Sequence, residues 1–266
     1  MTLRLSTFNE EEKMMKHTLN EEIKLNKKIL GGNRMNYKLS NDGAFPLVIV
    51  TLETGEEIKL ESGAMVYHNG KVVLEGKMNS NGSTGFGGLL KAAARTMVSG
   101  EGFFITTAKG TAADSSIAIA PASIGGIKEL NVGASKWCVN DGAFLACDSS
   151  VTYNMKRQSV GRALFAGTGG LFVMETSGEG TMLVNAFGDI IEIDLDGTAP
   201  FIVDNEHVVA WESTLQYNIK SASGIFGFKT GEGLVNEFVG KGKLYIQTRN
   251  TASLASLLRP FIATGK

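Results

Sequence analysis

A chain of 266 residues with 26 basic and 27 acidic side chains, a formal net charge of −1, has no charge excess that would draw it to nucleic acid as a whole molecule. Hydrophobic residues at 43% and charged ones at 20% are those of a globular protein, and 33 glycines against 4 prolines suit tight turns between strands better than a proline-rich linker. The only cysteines, Cys138 and Cys147, exclude a disulfide framework and a four-cysteine zinc site. As free buried thiols they fit a reducing, cytoplasmic compartment; the other reading is a bond between them across Asp141-Gly142.

From the N-terminus, residues 1–34 read as an extension. Arg4, Glu10, Glu11, Glu12 and Lys13 stand there without an apolar core of signal-peptide length, and Asn9 to Lys28 shows a weak helical pattern. A single β domain is expected over residues 35–250, in units of about 35–125, 126–190 and 191–250, with a tail over 251–266. Period-two alternation predicts strands at Glu57–Leu60, at Asp189–Leu195 after a one-residue slip, and at Lys243–Gln247. Asn69-Gly70 and Asp141-Gly142 predict type I′ hairpin turns, whose central residues need positive φ, and Asp204-Asn205-Glu206 takes their place in the third unit. One short amphipathic helix is predicted within Phe86–Val98, where apolar side chains at 86, 89, 90, 93 and 97 share a face and Lys91 and Arg95 lie on another. The longest uncharged runs, such as Ser115–Ile127, fall short of the roughly 18 to 20 residues of a spanning helix, so a soluble or membrane-peripheral chain is expected.

The three units rest on recurrence. Gly100-Glu101-Gly102-Phe103-Phe104 returns as Gly169-Gly170-Leu171-Phe172 and as Gly231-Glu232-Gly233-Leu234. Superposing Gly110, Gly178 and Gly240 brings Phe104, Phe172 and Leu234 together, each six positions upstream. A second set of anchors opens each unit: Gly63, Gly133 and Gly197. Ser149–Met155 also matches Ser213–Ile219 at a constant offset of 64, with no clear counterpart in the first unit. Units of roughly 65 residues are too small to bury a good core alone and should pack as one body. The expected fold is all-β: three sequence-related antiparallel units in a pseudo-threefold arrangement, with short helical insertions.

Three acid-free segments point outward: Gly76–Ser99 with Lys77, Lys91 and Arg95, Ser149–Met174 with Lys156, Arg157 and Arg162, and Ser213–Gly231 with Lys220 and Lys229. All precede the Gly110, Gly178 and Gly240 anchors. Gathered by a threefold axis, they would form a candidate interaction pole of Phe86, Leu89, Leu90, Lys91, Arg95, Arg157, Arg162, Phe165, Lys220, Phe226 and Lys229. Such a pole suits an anionic membrane surface, a protein partner or a second copy of the chain, and fits nucleic acid poorly because basic and aromatic residues interleave sparsely. The plainer alternative is that the apolar members fill the core while the basic ones are solvated.

No catalytic constellation is framed. His17, His68 and His207 are scattered, Gly85-Phe86-Gly87-Gly88 lacks the Lys-Ser/Thr ending of a phosphate loop, and no Gly-x-Ser-x-Gly elbow is present. Neither a metal nor any other cofactor is expected. Met35-Asn36-Tyr37-Lys38-Leu39, Glu61-Ser62-Gly63-Ala64-Met65, the Gly100-Glu101-Gly102 run and, most specifically, Gly231–Gly242 with Gln247-Thr248-Arg249 resemble the altered inheritance of mitochondria protein 24 family. The resemblance spans about Met35 to Arg249. It implies a β fold like that of the tryptophan RNA-binding attenuation protein and a non-enzymatic scaffold or interaction role with a plausible membrane connection. By fold analogy it also admits a small-ligand or RNA-binding module. It supplies no catalytic residues.

Overall fold

The structure, a computed structural model, describes residues 34–41, 45–78, 104–140, 142–157, 172–222 and 233–262. The chain begins with β1 (Asn36–Leu39), β2 (Val48–Leu52), β3 (Glu57–Glu61), β4 (Met65–His68), β5 (Val72–Met78), β6 (Phe104–Gly110) and β7 (Ser115–Ile119). It continues with β8 (Ile127–Val132), β9 (Trp137–Asn140), β10 (Phe144–Asp148), β11 (Val151–Arg157), β12 (Phe172–Gly178) and β13 (Gly180–Asn185). The last group is β14 (Ile190–Asp196), β15 (Phe201–Asp204), β16 (Val208–Glu212), β17 (Gln216–Ser221), β18 (Leu234–Val239) and β19 (Lys241–Gln247), followed by helix α1 (Thr251–Leu258). Pairing between these strands is antiparallel throughout, as expected of an all-β fold.

The sheet orders are β1-β2-β7-β4, β5-β6-β3-β10-β13-β8, β11-β12-β9-β16-β19-β14 and β15-β18-β17. One pairing pattern therefore runs three times. The triplets β2-β7-β4, β8-β13-β10 and β14-β19-β16 correspond, as do β3-β6-β5, β9-β12-β11 and β15-β18-β17. The second triplet of one unit joins the first triplet of the next, through β3 with β10 and β9 with β16. The equivalent join of β15 to β4 is not made within the chain.

Alternation becomes strand where one face is buried, as in β3, where Ile58 and Leu60 point inward. In β10 and β13 every residue is buried, because these strands pack on both faces and read as apolar runs without alternation. Three apolar clusters separate successive sheets. Val50, Ile117, Leu60 and Leu145 fill the first, Val132, Phe144, Met182 and Tyr245 the second, and Cys138, Trp211, Phe238 and Leu244 the third. Trp211 stacks edge-on against Tyr217 and Phe238 at centroid distances of 4.8 and 5.5 Å.

The anchor glycines occupy equivalent places. Gly110 ends β6 opposite Val72, Gly178 ends β12 opposite Val151, and Gly240 follows β18 beside Leu215. The opening anchor of the first unit is corrected. Gly133 and Gly197 follow the first strands β8 and β14, whereas Gly63 follows the second strand β3; the true counterpart is Gly55, after β2. Small residues around a glycine mark a tight turn without saying which one, and Gly55, Gly63, Gly133 and Gly197 all have positive φ. The hairpin expectation is corrected too. Gly70 and Gly142 have φ of 80° and 78°, but the flanking strands lie in different sheets, so each turn carries the chain across the sandwich.

The repetition reaches individual atoms. Asn69 Oδ1 accepts from the Ser116 amide at 3.2 Å, Asp148 Oδ2 from the Thr181 amide at 2.7 Å and Glu212 Oε2 from the Lys243 amide at 3.0 Å. Each acceptor stands at or just past the end of β4, β10 or β16 and satisfies a backbone donor near the start of β7, β13 or β19. The helices predicted within Phe86–Val98 and Asn9–Lys28 lie outside the described residues.

Candidate interaction surfaces

The acid-free segments occupy corresponding connections: β5 to β6, β11 to β12 and β17 to β18. Phe86, Leu89, Leu90, Lys91, Arg95, Arg162, Phe165, Phe226 and Lys229 lie outside the described residues, as does the side chain of Arg157, whose backbone ends β11. Lys220 is placed on β17. It is paired with Glu237 of β18, and Lys156 is paired with Glu175 of β12 at 2.6 Å, the same diagonal contact in two units. The expectation that no carboxylate neutralises the basic residues is thereby corrected for these two. The neutralising acid comes from the partner strand, which a linear window of sequence does not cover.

A polar cleft of about 370 Å³ opens where the second and third units meet, lined by Asn140, Asn185, Asn205, Glu206, Gln247 and Asn250 among others. Its amides are largely engaged in holding loops. Asn140 Nδ2 donates to Val208 O at 3.0 Å, Gln247 Nε2 to Glu206 O at 2.7 Å, and Gln247 Oε1 accepts from the Phe187 amide at 2.9 Å. His207 contacts Asn250 Nδ2 through Nε2 at 2.9 Å and Gln247 O through Nδ1 at 2.7 Å, which places the ring proton on Nδ1. Burial and the neighbouring Asp204 push the Glu206 carboxyl up from its ordinary range. Sequence reading missed this cleft because its residues come from five separate stretches of the chain.

The remaining chemistry is quiet. Cys138 and Cys147 are free and buried, and burial pushes both thiols up to about 12. His68 ends β4, its Nδ1 accepting from the Gly70 amide at 3.1 Å as a turn residue would. Among the described residues no group of His, Cys, Asp and Glu is placed to hold a metal ion, and no helix is long and apolar enough to cross a membrane. The predicted tail contains α1, capped by Asn250 Oδ1 on the Ser253 amide at 2.7 Å, with no buried residue and with Leu257, Leu258, Phe261 and Ile262 exposed at and beyond its end.

Residues 37–249 match the family described as Mitochondrial biogenesis AIM24. An uncharacterized protein of Streptococcus pyogenes serotype M6 is 46% identical over 233 residues, covering 87% of this chain and 93% of that protein. The X-ray crystal structure of a Streptococcus pyogenes protein superposes with a TM-score of 0.73 at 43% identity, over 86% of this chain and all of that one. The match over nearly the whole β body, together with these relatives, shows that the chain belongs to the Mitochondrial biogenesis AIM24 family.

Proposed function

We propose that the chain is a non-enzymatic scaffold that meets an anionic membrane surface through basic, apolar segments carried on three corresponding hairpins. The observation that supports this reading is the recurrence of the hairpins β5–β6, β11–β12 and β17–β18 at one point of a thrice-repeated pairing pattern, each bearing a segment without Asp or Glu. Three weak contacts on one rigid body act together, since each Lys or Arg near an anionic surface contributes about 1 kcal/mol and engagement of one hairpin raises the local concentration of the others. With Lys156 and Lys220 paired to Glu175 and Glu237, the attraction falls to Lys91, Arg95, Arg162 and Lys229 on the connections. Flotation with phosphatidylglycerol-rich vesicles against pure phosphatidylcholine tests it. The protein should float with the anionic vesicles alone, and Lys91→Glu with Arg95→Glu and Arg162→Glu should abolish flotation; a wild-type chain that ignores both vesicles refutes the reading.

A small-ligand binding module is the second reading, supported by the polar cleft at the junction of the second and third units. A ligand-observed NMR screen of small polar molecules, with Asn250→Ala expected to lose any hit, tests it.

A further inference from the structure

The cleft at the junction of the second and third units contains a polar side chain that the fold itself does not satisfy. Asn205 is 7% exposed, yet no hydrogen bond joins its side-chain amide to another group among the described residues. The sealed polar atoms without partners there are Trp211 Nε1 and Asn236 Oδ1, so the Asn205 amide is not shut into the core; it opens onto the cleft that the residue lines. Its neighbours differ. Asn185 Nδ2 donates to Ala143 O at 3.2 Å while its Oδ1 accepts from Ser123 Oγ, and Asn250 Oδ1 caps α1. A buried amide without a partner calls for an explanation, and the cleft in front of it points to a small bound molecule.

The same cleft has a pole of each sign. Glu206 is the only charged side chain among the described residues that line it, with no Lys or Arg beside it. Its carboxyl has no hydrogen-bond partner among the described residues, and burial, then Asp204, push it up against the pull of His207. The other pole is the start of α1, where a helix carries roughly half a positive charge. Asn250 takes the Ser253 amide on Oδ1 and the Leu254 amide on its carbonyl, which leaves the amides of Thr251 and Ala252, both lining the cleft, without partners among the described residues. The poles are close together, since Asn250 Nδ2 meets Nε2 of His207, the residue after Glu206, at 2.9 Å.

We propose that this cleft binds a free α-amino acid with a polar, uncharged side chain, its ammonium at Glu206, its carboxylate at the first amides of α1 and its side chain against Asn205. The inference rests on the ligand-binding reading and names its ligand class. An anion alone would meet Glu206, and a cation alone would leave the helix terminus unanswered; a molecule carrying both charges on one carbon matches poles this close. The volume of about 370 Å³ lies at the low end for small-molecule sites and suits one amino acid better than a nucleotide. Asn140 commits Nδ2 to Val208 O and keeps Oδ1 as an acceptor, while Asn205 offers both donor and acceptor, so a carboxamide such as that of glutamine answers both. An apolar side chain would leave the Asn205 amide desolvated and unpaired.

Saturation-transfer NMR on the full chain, with L-glutamine as the probe, tests the proposal. L-glutamine should bind, and N-acetyl-L-glutamine, which lacks the ammonium, L-glutaminamide, which lacks the carboxylate, and L-leucine, which lacks the side-chain amide, should each bind more weakly by about tenfold or more. Glu206→Gln changes an exposed side chain and should leave the thermal midpoint in place. It should lower L-glutamine to the level of N-acetyl-L-glutamine, a loss of discrimination that a merely structural role would not produce. Asn205→Ala should erase the preference for L-glutamine over L-leucine. The proposal is overturned if L-glutamine gives no transfer at millimolar concentration, if the capped analogues or L-leucine bind as well, or if Glu206→Gln leaves the discrimination intact. Glycerol binding instead, and lost in Asn250→Ala, would sink the amino-acid class and keep the cleft as a ligand site; silence from every probe would sink both.

Discussion

Asp148 ends β10 with 3% of its surface exposed, its Oδ2 receiving the Thr181 amide at 2.7 Å. Burial raises its carboxyl from 3.8 to about 6; the Thr181 and Met35 amides and Arg34 pull the other way, and Glu56 adds to the rise. A folded pKa above the unfolded one means that the folded state holds more protons between these values. The group's contribution to stability is then fully present below about pH 4 and is lost as pH rises through about 6. The gap corresponds to about 3 kcal/mol at 1.36 kcal/mol per pH unit, of which about 2 kcal/mol falls between pH 4.5 and 7. Asp148→Asn keeps an acceptor for Thr181 and cannot ionise. Urea unfolding of both proteins, followed by the fluorescence of the buried Trp137 and Trp211, should therefore show the variant gaining about 2 kcal/mol on the wild type from pH 4.5 to 7. Comparing the two cancels the opposite trend of Glu192, whose bonds from Lys243, Lys128 and Tyr245 hold it down at about 2. Parallel stability curves would refute the assignment.

Gly178 has φ of 81° and a Cβ there would run into Ser150 O, whereas Gly70 has φ of 80° and open space around it. Gly178→Ala should cost more than Gly70→Ala, about 3 kcal/mol or more against about 1–2, read as thermal midpoints lowered by about 2–4 °C per kcal/mol. Ser115 is fully buried, and its Oγ contacts Lys71 O and Ala112 O at 2.7 Å while accepting from the Thr111 and Ala112 amides at 3.1 and 3.0 Å. Ser115→Ala strands the Ala112 amide, while the Thr111 amide keeps Lys71 O at 2.9 Å, and should cost about 1–3 kcal/mol in urea unfolding. The thiols of Cys138 and Cys147, pushed up to about 12, should ignore Ellman's reagent at pH 8 until denaturant is added.

The β class was legible in its alternation, and the equivalence of Gly110, Gly178 and Gly240 because each place demands glycine: a Cβ at Gly110 or Gly178 would run into Glu53 O or Ser150 O, and Gly240 has φ of 115°. The strands Glu57–Leu60, Asp189–Leu195 and Lys243–Gln247 were legible because one face of each meets the core. What pairs with what was not. Asn69-Gly70 records a positive φ, and a positive φ serves a corner between sheets as well as a hairpin. Charge was misread for a related reason: Lys220 and Glu237 stand 17 positions apart and face one another only across antiparallel strands. The helix α1 had its signal in plain view. Asn250 precedes Thr251 with Leu254, Leu257 and Leu258 at helical spacing and Pro260 beyond, but so short a segment with no buried face carries little periodicity to separate it from a loop. The candidate interaction surfaces were legible in part: the acid-free segments were found, the polar cleft was not, since its residues come together only in the fold.

The three acceptors at the ends of β4, β10 and β16 show how the first unit differs from its successors. Glu212 receives Ser135 Oγ at 2.6 Å from the preceding unit in addition to the Lys243 amide, so its charge is solvated by groups that a neighbouring unit brings. Asp148 likewise sits against a preceding unit, with Ile58 opposite it at the join. No preceding unit lies against the first among the described residues, and at the corresponding position stands a neutral Asn69. Its amide is satisfied locally, by Asp114 O at 2.7 Å and by the Lys71 and Ser116 amides, each at 3.2 Å. An aspartate there would accept the same two amides but would have no donor from a preceding unit such as Ser135 gives Glu212. Attraction of the basic hairpins to anionic vesicles should fade as the Debye length shrinks from about 10 Å at 0.1 M to about 3 Å at 1 M. Raising ionic strength in the flotation assay should therefore release the protein from such vesicles, and flotation unchanged at 1 M salt would refute an electrostatic attachment.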